Sequence, residues 1–339
     1  MKASHDKYSG GPGTLDGVAA PTYFAFAARP ASAEHAEITA PEPLPALLND
    51  RYRLERLLGM GGMSAVYCAH DTVRARFGDP TPYVAIKVMN DSYAQCPDAN
   101  ALLFSEFALT QQLHHPNVIR LYSFDVECQS QRAFISMEWL QGTPLDQLIN
   151  DHPKGLTWDA LQPIALSALE AVAYVHRREL VHGDLKPSNL ILGAEGLRLF
   201  DFGLSESINP QLSGLPRLQR ERIAAWTPGY AALELHEGGP PSYAADVYAL
   251  ACVLYELATG QHPYQRCNAR QAQAQRLDRA LPYPLNLPKQ SWRALQQALR
   301  INPVAGRITA EELLVAFQNG ECRPWPRWMR PWREPPPAK

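Results

Sequence analysis

Two hydrophobic rhythms divide the chain. Short apolar-rich runs bounded by turn residues come first, as expected of strands. Tyr52-Arg53-Leu54 opens one such run and Ala65-Val66-Tyr67-Cys68-Ala69 forms another. Gly78-Asp79-Pro80 marks a turn, after which Val84-Ala85-Ile86 resumes the strand pattern. Residues 99–113 place Leu102, Leu103, Phe107 and Leu113 at rough helical spacing. Phe134-Ile135-Ser136-Met137 reads as a strand, with Glu138-Trp139-Leu140 as the connection after it. Beyond this point the period lengthens. Leu161, Ile164, Ala165, Ala168, Leu169, Val172 and Val175 recur at steps of three and four, which predicts a helix with one buried face. From Asp246, the run Val247, Leu250, Val253, Leu254 and Leu257 predicts a second, more deeply buried helix.

The two ends lack such rhythm. Residues 1 to about 48 are rich in Ala, Pro and Gly and end at Pro41-Glu42-Pro43-Leu44-Pro45. A segment of this kind cannot bury enough apolar surface to offset the entropy of ordering it, so residues 1–50 are expected to be a mobile arm. The tail, 319–339, sets three tryptophans among four arginines and several prolines. The prolines forbid a regular helix. Its tryptophans suit packing back onto the folded part, or contact with an anionic membrane surface or a partner.

Composition narrows the class. A formal net charge of −2 over 339 residues provides no global field for nucleic acid. The six cysteines are scattered without a Cys-x-x-Cys pair, which fits idle thiols in a reducing compartment. The run Val247–Ala258 carries Glu256 and is about half the length a membrane span requires. Val18–Ala28 contains Pro21 and lacks a basic segment before it, unlike a signal peptide. A cytoplasmic protein without a transmembrane segment is the expectation.

The chemistry concentrates in His182-Gly183-Asp184-Leu185-Lys186-Pro187-Ser188-Asn189, with Asp201-Phe202-Gly203 twelve residues after Asn189. Phosphoryl transfer from ATP needs such a set: a carboxylate to receive the acceptor hydroxyl's proton, a cation for the γ-phosphate, and hard oxygen ligands for a metal ion. Any one of these residues alone is ordinarily a solvated surface charge. The ordered set of Lys87, Glu106, Asp184, Lys186, Asn189 and Asp201 leaves little room for coincidence.

This pattern resembles the bacterial eukaryotic-like (Hanks-type) serine/threonine protein kinases, and the resemblance runs from Tyr52 to about Phe317. It implies an α+β fold of two lobes, a small β-rich N-lobe at about 51–137 and a larger helical C-lobe at about 142–318, joined by a hinge at 138–141. Within it, Asp184 is the catalytic carboxylate that receives the acceptor proton and Lys186 the catalytic cation, whose placement two residues on points to the serine/threonine branch. Asn189 and Asp201 are the metal ligands. Leu58-Gly59-Met60-Gly61-Gly62-Met63-Ser64-Ala65-Val66 resembles the glycine-rich loop that covers the phosphates, where glycines allow close backbone approach. Val84-Ala85-Ile86-Lys87 supplies the family's strand lysine. Glu106, nine residues before His115-Pro116-Asn117, is its expected ion-pair partner. Met137 falls at the gatekeeper position, and the backbone of Glu138 to Leu140 is expected to hold the adenine edge. Asp246 would hydrogen-bond the catalytic-loop backbone, Thr227 would contact that loop, and Arg307 would pair with Glu234 in a buried ion pair.

The departures from the family pattern are Ser64 for a glycine, Leu233 for a proline in Ala232-Leu233-Glu234, Ala251 for a glycine and Gly183 for an arginine. The last removes the cation that reads an activation-loop phosphate. No Ser or Thr lies between Gly214 and Trp226. The enzyme is therefore expected to be active as made.

His182-Gly183-Asp184 with Asn189 also resembles small-molecule kinases of the aminoglycoside and choline phosphotransferase type. Those generally lack the peptide-binding apparatus of Thr227–Glu234, Asp246 and Arg307. A nucleotide-binding pseudokinase scaffold is disfavoured, because no catalytic position is missing. The expected activity is ATP-dependent phosphorylation of protein serine and threonine hydroxyls, with autophosphorylation, using ATP and Mg²⁺ or Mn²⁺. Its expected partners are protein substrates and a cognate protein phosphatase.

Overall fold

In the computed structural model, the residues described are 45–61, 64–90, 99–208, 226–279, 281–302 and 307–319. The expectations for residues 1–44, for Gly62 and Met63, and for the tail beyond 319 lie outside them.

The strand-like runs assemble into a six-stranded sheet of order β1-β2-β3-β4-β6-β5, with every neighbour antiparallel. Its strands are β1 (Leu47–Leu48), β2 (Tyr52–Met60), β3 (Ser64–Asp71), β4 (Tyr83–Met89), β5 (Leu121–Val126) and β6 (Ala133–Met137). Side chains alternate between the faces of a strand. On β4, Val84, Ile86 and Val88 pack with Tyr52, Ala65 and Phe134 on one face. Ala85 joins Leu58, Val66 and Met137 on the other, and Lys87 shares that side. A charged group thus enters the centre of the sheet without entering the cluster behind it.

Two details differ from the sequence reading. The ordered chain begins before residue 51: Leu48 is buried and β1 pairs with Tyr52 and Arg53. The turn between them runs through Asn49 and Asp50 at φ 46° and 54°, a left-handed conformation that these two residue types tolerate. A short helix, α1 (Thr72–Arg76), follows β3 and is capped by Asp71, which accepts from the Val73 and Arg74 N–H groups and pairs with Arg51 at 2.7 Å.

Helix α2 (Ala99–Thr110) packs against β4, β5 and β6. It stops three residues short of the expected 113, and Leu113 is buried in the turn that follows. After β6 the chain crosses through 138–141 without regular structure and enters β7 (Gly142–Pro144) and α3 (Leu145–Asp151).

The remaining core is helical. In α4 (Trp158–Arg177) all seven residues of the periodic stripe are buried. Helix α6 (Tyr243–Thr259) is buried nearly all round, as a helix at the centre of a layered fold must be. It ends at Gly260, φ 74°, where a Cβ would lie 2.3 Å from the Pro153 carbonyl oxygen, so only glycine fits. Around this pair lie α5 (Leu233–His236), α7 (Ala269–Ala274), α8 (Lys289–Ala298) and α9 (Ala310–Gln318). Strands β9 (Leu190–Gly193) and β10 (Gly196–Leu199) join β7 in a three-stranded sheet, β8 (Leu180–Val181) pairs with β11 (Glu206–Ser207), and Leu199 bridges to Val118. The fold is α+β, with an antiparallel sheet region followed by a helical one.

Candidate active site

The motif residues sit on short connections between these small strands. Residues 182–189 link β8 to β9, and Asp201 follows β10 by two residues. Asp246, in the first turn of α6, holds the connection from below. Its carboxylate accepts the backbone N–H groups of His182 at 2.8 Å and Gly183 at 2.9 Å and contacts His176 Nε2 at 3.0 Å. His182 accepts the Asp184 N–H on Nδ1 and donates from Nε2 to the Phe200 carbonyl at 3.1 Å. Its ring lies 4.7 Å from that of Phe202, which is fully buried. The two functional connections are thereby tied together.

Asp184 and Lys186 form one network. Lys186 Nζ donates to Asp184 Oδ2 at 2.6 Å and to Thr227 Oγ1 at 3.2 Å. The Thr227 N–H and Oγ1 both reach Asp184 Oδ1 at 3.1 Å. Thr227 therefore contacts the catalytic loop, as its motif implied. Asn189 donates from Nδ2 to the Asp184 carbonyl at 2.9 Å. Its Oδ1 is buried with no hydrogen-bond partner among the described residues. A buried amide oxygen without a donor is costly and is well suited to a cation.

A second network crosses from the sheet. Lys87 Nζ donates to Glu106 Oε1 and Oε2 at 2.6 and 2.8 Å, and to Asp201 Oδ1 at 2.8 Å. The expected Lys87–Glu106 pair is present, and Asp201 completes a triad whose side chains are 6 %, 10 % and 19 % exposed. Burial pulls the Lys87 pKa down, but the charges of Asp201 and Glu106 overcome it and raise it. Burial pushes the Glu106 carboxyl up against the opposing pull of Lys87. Burial acts upward on Asp201 too, yet Lys87 and Lys186 hold it below the ordinary carboxylate range. The site is set to keep Asp201 ionised. Asp201 itself is left-handed, φ 63°, a conformation uncommon outside glycine.

The structure distributes the other expected site residues unevenly. Leu58 and Val66 join the apolar cluster on the Lys87 side of the sheet. Ala65 does not: it alternates to the opposite face and packs with Tyr52 and Ile86, so its side chain cannot line a nucleotide cleft. Gly59, Met60, Gly61 and Ser64 flank the hairpin turn, with the Gly61 N–H on the Ser64 carbonyl at 2.7 Å and Asn90 Nδ2 on the Gly61 carbonyl at 2.7 Å. Met137 is buried and lines a small cavity with Lys87, Glu106, Phe200 and Asp201, the place implied for a gatekeeper. Glu138 turns its carboxylate to the Arg120 N–H and its own N–H to the Arg120 carbonyl, both at 2.9 Å, which leaves its backbone carbonyl for an adenine edge. Leu140 is packed against the main core.

Arg307 pairs with Glu234 at 3.1 Å, but the pair is buried on one side only, 5 % exposed for Arg307 and 34 % for Glu234. Leu233, in place of the family's proline, opens α5 and is buried. Sequence reasoning missed a third network beneath Thr227–Ala232. Buried Glu256 accepts Tyr230 Oη at 2.6 Å and Arg266 Nη2 at 3.1 Å, while His262 Nε2 donates to the Gly229 carbonyl at 3.0 Å. The available signal was Glu256, an acid inside the otherwise apolar run Val247–Ala258.

Residues of these types, joined in this way, can hold a phosphate chain, a divalent cation and an acceptor hydroxyl together. Comparison with known proteins agrees. Residues 52–316 match the family described as protein kinase domain. The serine/threonine-protein kinase PkaA of Streptomyces coelicolor is 31% identical over 78% of this chain and 49% of its own length. The DNA damage-responsive serine/threonine-protein kinase RqkA of Deinococcus radiodurans is 34% identical over 71% of this chain and 34% of its own. The serine/threonine-protein kinase PknB of Mycobacterium tuberculosis is 29% identical over 82% of this chain and 44% of its own. The chain thus spans about a third to a half of the length of these relatives. With the match covering most of the chain and the Lys87, Glu106 and Asp201 triad closed across the cleft, the chain belongs to the protein kinase family, in its bacterial Hanks-type serine/threonine branch.

Proposed function

We propose that this chain transfers the γ-phosphate of ATP to serine and threonine hydroxyls of protein substrates. The observation that carries the reading is the Asp184, Lys186 and Thr227 network beside the orphaned Asn189 Oδ1.

Asp184 Oδ2 is the base for the acceptor hydroxyl, receiving its proton as the new P–O bond forms. Lys186 balances charge on the transferred group and, through Thr227, fixes the angle of Asp184. Lys87, held by Glu106, would bind the α- and β-phosphates, with the backbone of Gly59, Gly61 and Ser64 over them and Leu58 and Val66 against the base. Asn189 Oδ1 and the Asp201 carboxylate fit Mg²⁺ or Mn²⁺, since both are hard oxygen donors. When bound, that ion would neutralise phosphate charge. A protein acceptor is favoured over a small molecule because Thr227–Glu234 is built into the core through Tyr230, Glu256 and Arg307.

The catalytic unit is proposed as Leu47 to 318, with the hinge at 138–141. A reducing compartment is proposed on the free thiols of Cys68, Cys128, Cys252 and Cys267, and a cognate phosphatase as the counterpart of the activity. No helix among the described residues is long and apolar enough to cross a membrane. The test is isotope transfer from γ-labelled ATP to a generic protein and to aminoglycoside and choline acceptors, beside nucleotide binding. Transfer to protein serine or threonine supports the proposal. Transfer to small molecules alone, or binding without transfer, overturns it.

A further inference from the structure

We infer that a groove behind the hinge binds a small anion bearing phosphate or carboxylate oxygens. The groove is about 250 Å³, and its polar lining is His114, His115, Arg120, Glu138 and Arg198. It is separate from the cavity beside Lys87 and shares no residue with it. Arg120 and Glu138 come from the sheet side and Arg198 from β10, so both regions of the fold contribute walls.

The lining is cationic and underused. Arg120 has no side-chain hydrogen bond or ion pair among the described residues. Arg198 is 15 % exposed, and its contacts, 3.5 Å to Glu138 and 3.3 Å to Glu195, are both long for charge-assisted bonds. Glu138, the one acid in the lining, is already engaged by the Arg120 N–H. His115 accepts the Asn117 N–H on Nδ1, which leaves Nε2–H as a donor. Its pKa is lowered by burial first and by the charge of Arg177 second. His114 holds its Nδ1 on the Gln112 carbonyl at 3.2 Å.

A planar guanidinium matches a carboxylate or phosphate with two parallel donors. An anion between Arg120 and Arg198 would replace two loose or absent contacts with charge-assisted ones. A cation would meet like charge from Arg120 and Arg198, and an apolar ligand would leave the Arg120 guanidinium without a partner in the groove and add nothing to the long contacts of Arg198. The volume admits a phosphate or a dicarboxylate and falls below the usual range for drug-sized ligands.

The test is calorimetric titration of the full chain with inorganic phosphate and, separately, succinate, at constant ionic strength. A saturating non-hydrolysable ATP analogue with Mg²⁺ keeps the probes out of the catalytic cleft. The comparison is with Arg120→Gln/Arg198→Gln and with Arg120→Glu, whose side chain is exposed and whose fold is checked by melting. Saturable binding of at least one probe, weakened by at least about tenfold in both variants, is the expected result, and the probe that binds identifies the acid class. If the double variant fails to fold, Arg120→Glu decides. No saturable binding of either probe, or unchanged binding in Arg120→Glu, overturns the inference.

Discussion

Asp246 receives the backbone N–H of His182 at 2.8 Å and that of Gly183 at 2.9 Å, one on each carboxylate oxygen. The most buried helix of the fold thus sets the position of the catalytic connection through hydrogen bonds to main chain. Asp246→Ala leaves two buried N–H groups and His176 without an acceptor, at about 1–3 kcal/mol for each group. The expected outcome is a lower melting temperature, faster hydrogen exchange at His182 and Gly183, and a fall in kcat larger than any change in KM for ATP. Unchanged exchange at those two amides would mean that the carboxylate does not fix the connection.

Lys87 and Asp184 are expected to be indispensable in different ways. Asp184→Asn keeps the shape of the network and removes the base, so turnover falls by about 10²–10⁴-fold with little change in melting. Lys87→Met also removes phosphate binding, with a loss of similar size. The sequence alone gives no reason for Lys87 to support the core. Its burial between Glu106 and Asp201 does, because removing one partner leaves buried charge unpaired, at about 3–5 kcal/mol. Kinetics and thermal unfolding of both variants check this. Near-normal turnover in either would refute the assigned roles.

The sequence carried the two long helices, the strand lysine and its glutamate, because each leaves a period or a fixed motif. The face of Ala65 follows from strand alternation, which a contiguous loop motif conceals. Strand β1 was hidden by the Pro-rich stretch before it, although Asn49-Asp50 is itself a turn signal. The Glu256, Tyr230 and Arg266 network was not legible, because it joins residues from α6 and two separate loops. Only tertiary packing brings those together.

Metal dependence should be complete. Asn189 Oδ1 and the Asp201 carboxylate are hard oxygen donors, a set that favours Mg²⁺ or Mn²⁺. Activity should vanish in EDTA and return with either ion. Asp201→Ala should lower turnover by at least about 10²-fold while leaving weak nucleotide binding. Full activity in excess chelator would sink the ligand assignment.

His262 should make stability pH-dependent. Burial first, then the charge of Arg266, pulls its pKa down from 6.5 to about 4. Its Nδ1 accepts the Tyr264 and Arg266 N–H groups, both at 3.1 Å, and Nε2 donates to Gly229, so a second proton would break two bonds. The unfolded chain therefore binds a proton that the folded one refuses between pH 6.5 and about 4. Stability is lost as pH falls through that window, by up to about 3 kcal/mol. His262→Gln should flatten that part of the profile in urea unfolding. Parallel profiles for the two proteins would rule the effect out.

Activity should not require an activation-loop phosphate. Gly183 replaces the arginine that would read one. The cavity beside Asp184 is lined there by Trp226, Leu235, Ala245 and Ala249, with no cation in its lining. Two of the early hydroxyls are structurally committed: Ser205 Oγ donates to the His182 carbonyl at 3.1 Å, and Ser207 is buried in the β11 pairing with Leu180. Ser213 lies outside the described residues. The Lys186–Thr227–Asp184 network is already closed without a phosphate, so among the described residues a phosphate has neither a reader nor a missing contact to supply. Purified kinase treated with a phosphatase, then freed of it, should keep its initial rate on a protein substrate within about twofold, as should Ser207→Ala and Ser213→Ala. A large drop that recovers on rephosphorylation, and that either alanine variant reproduces, would show that the loop carries a switch after all.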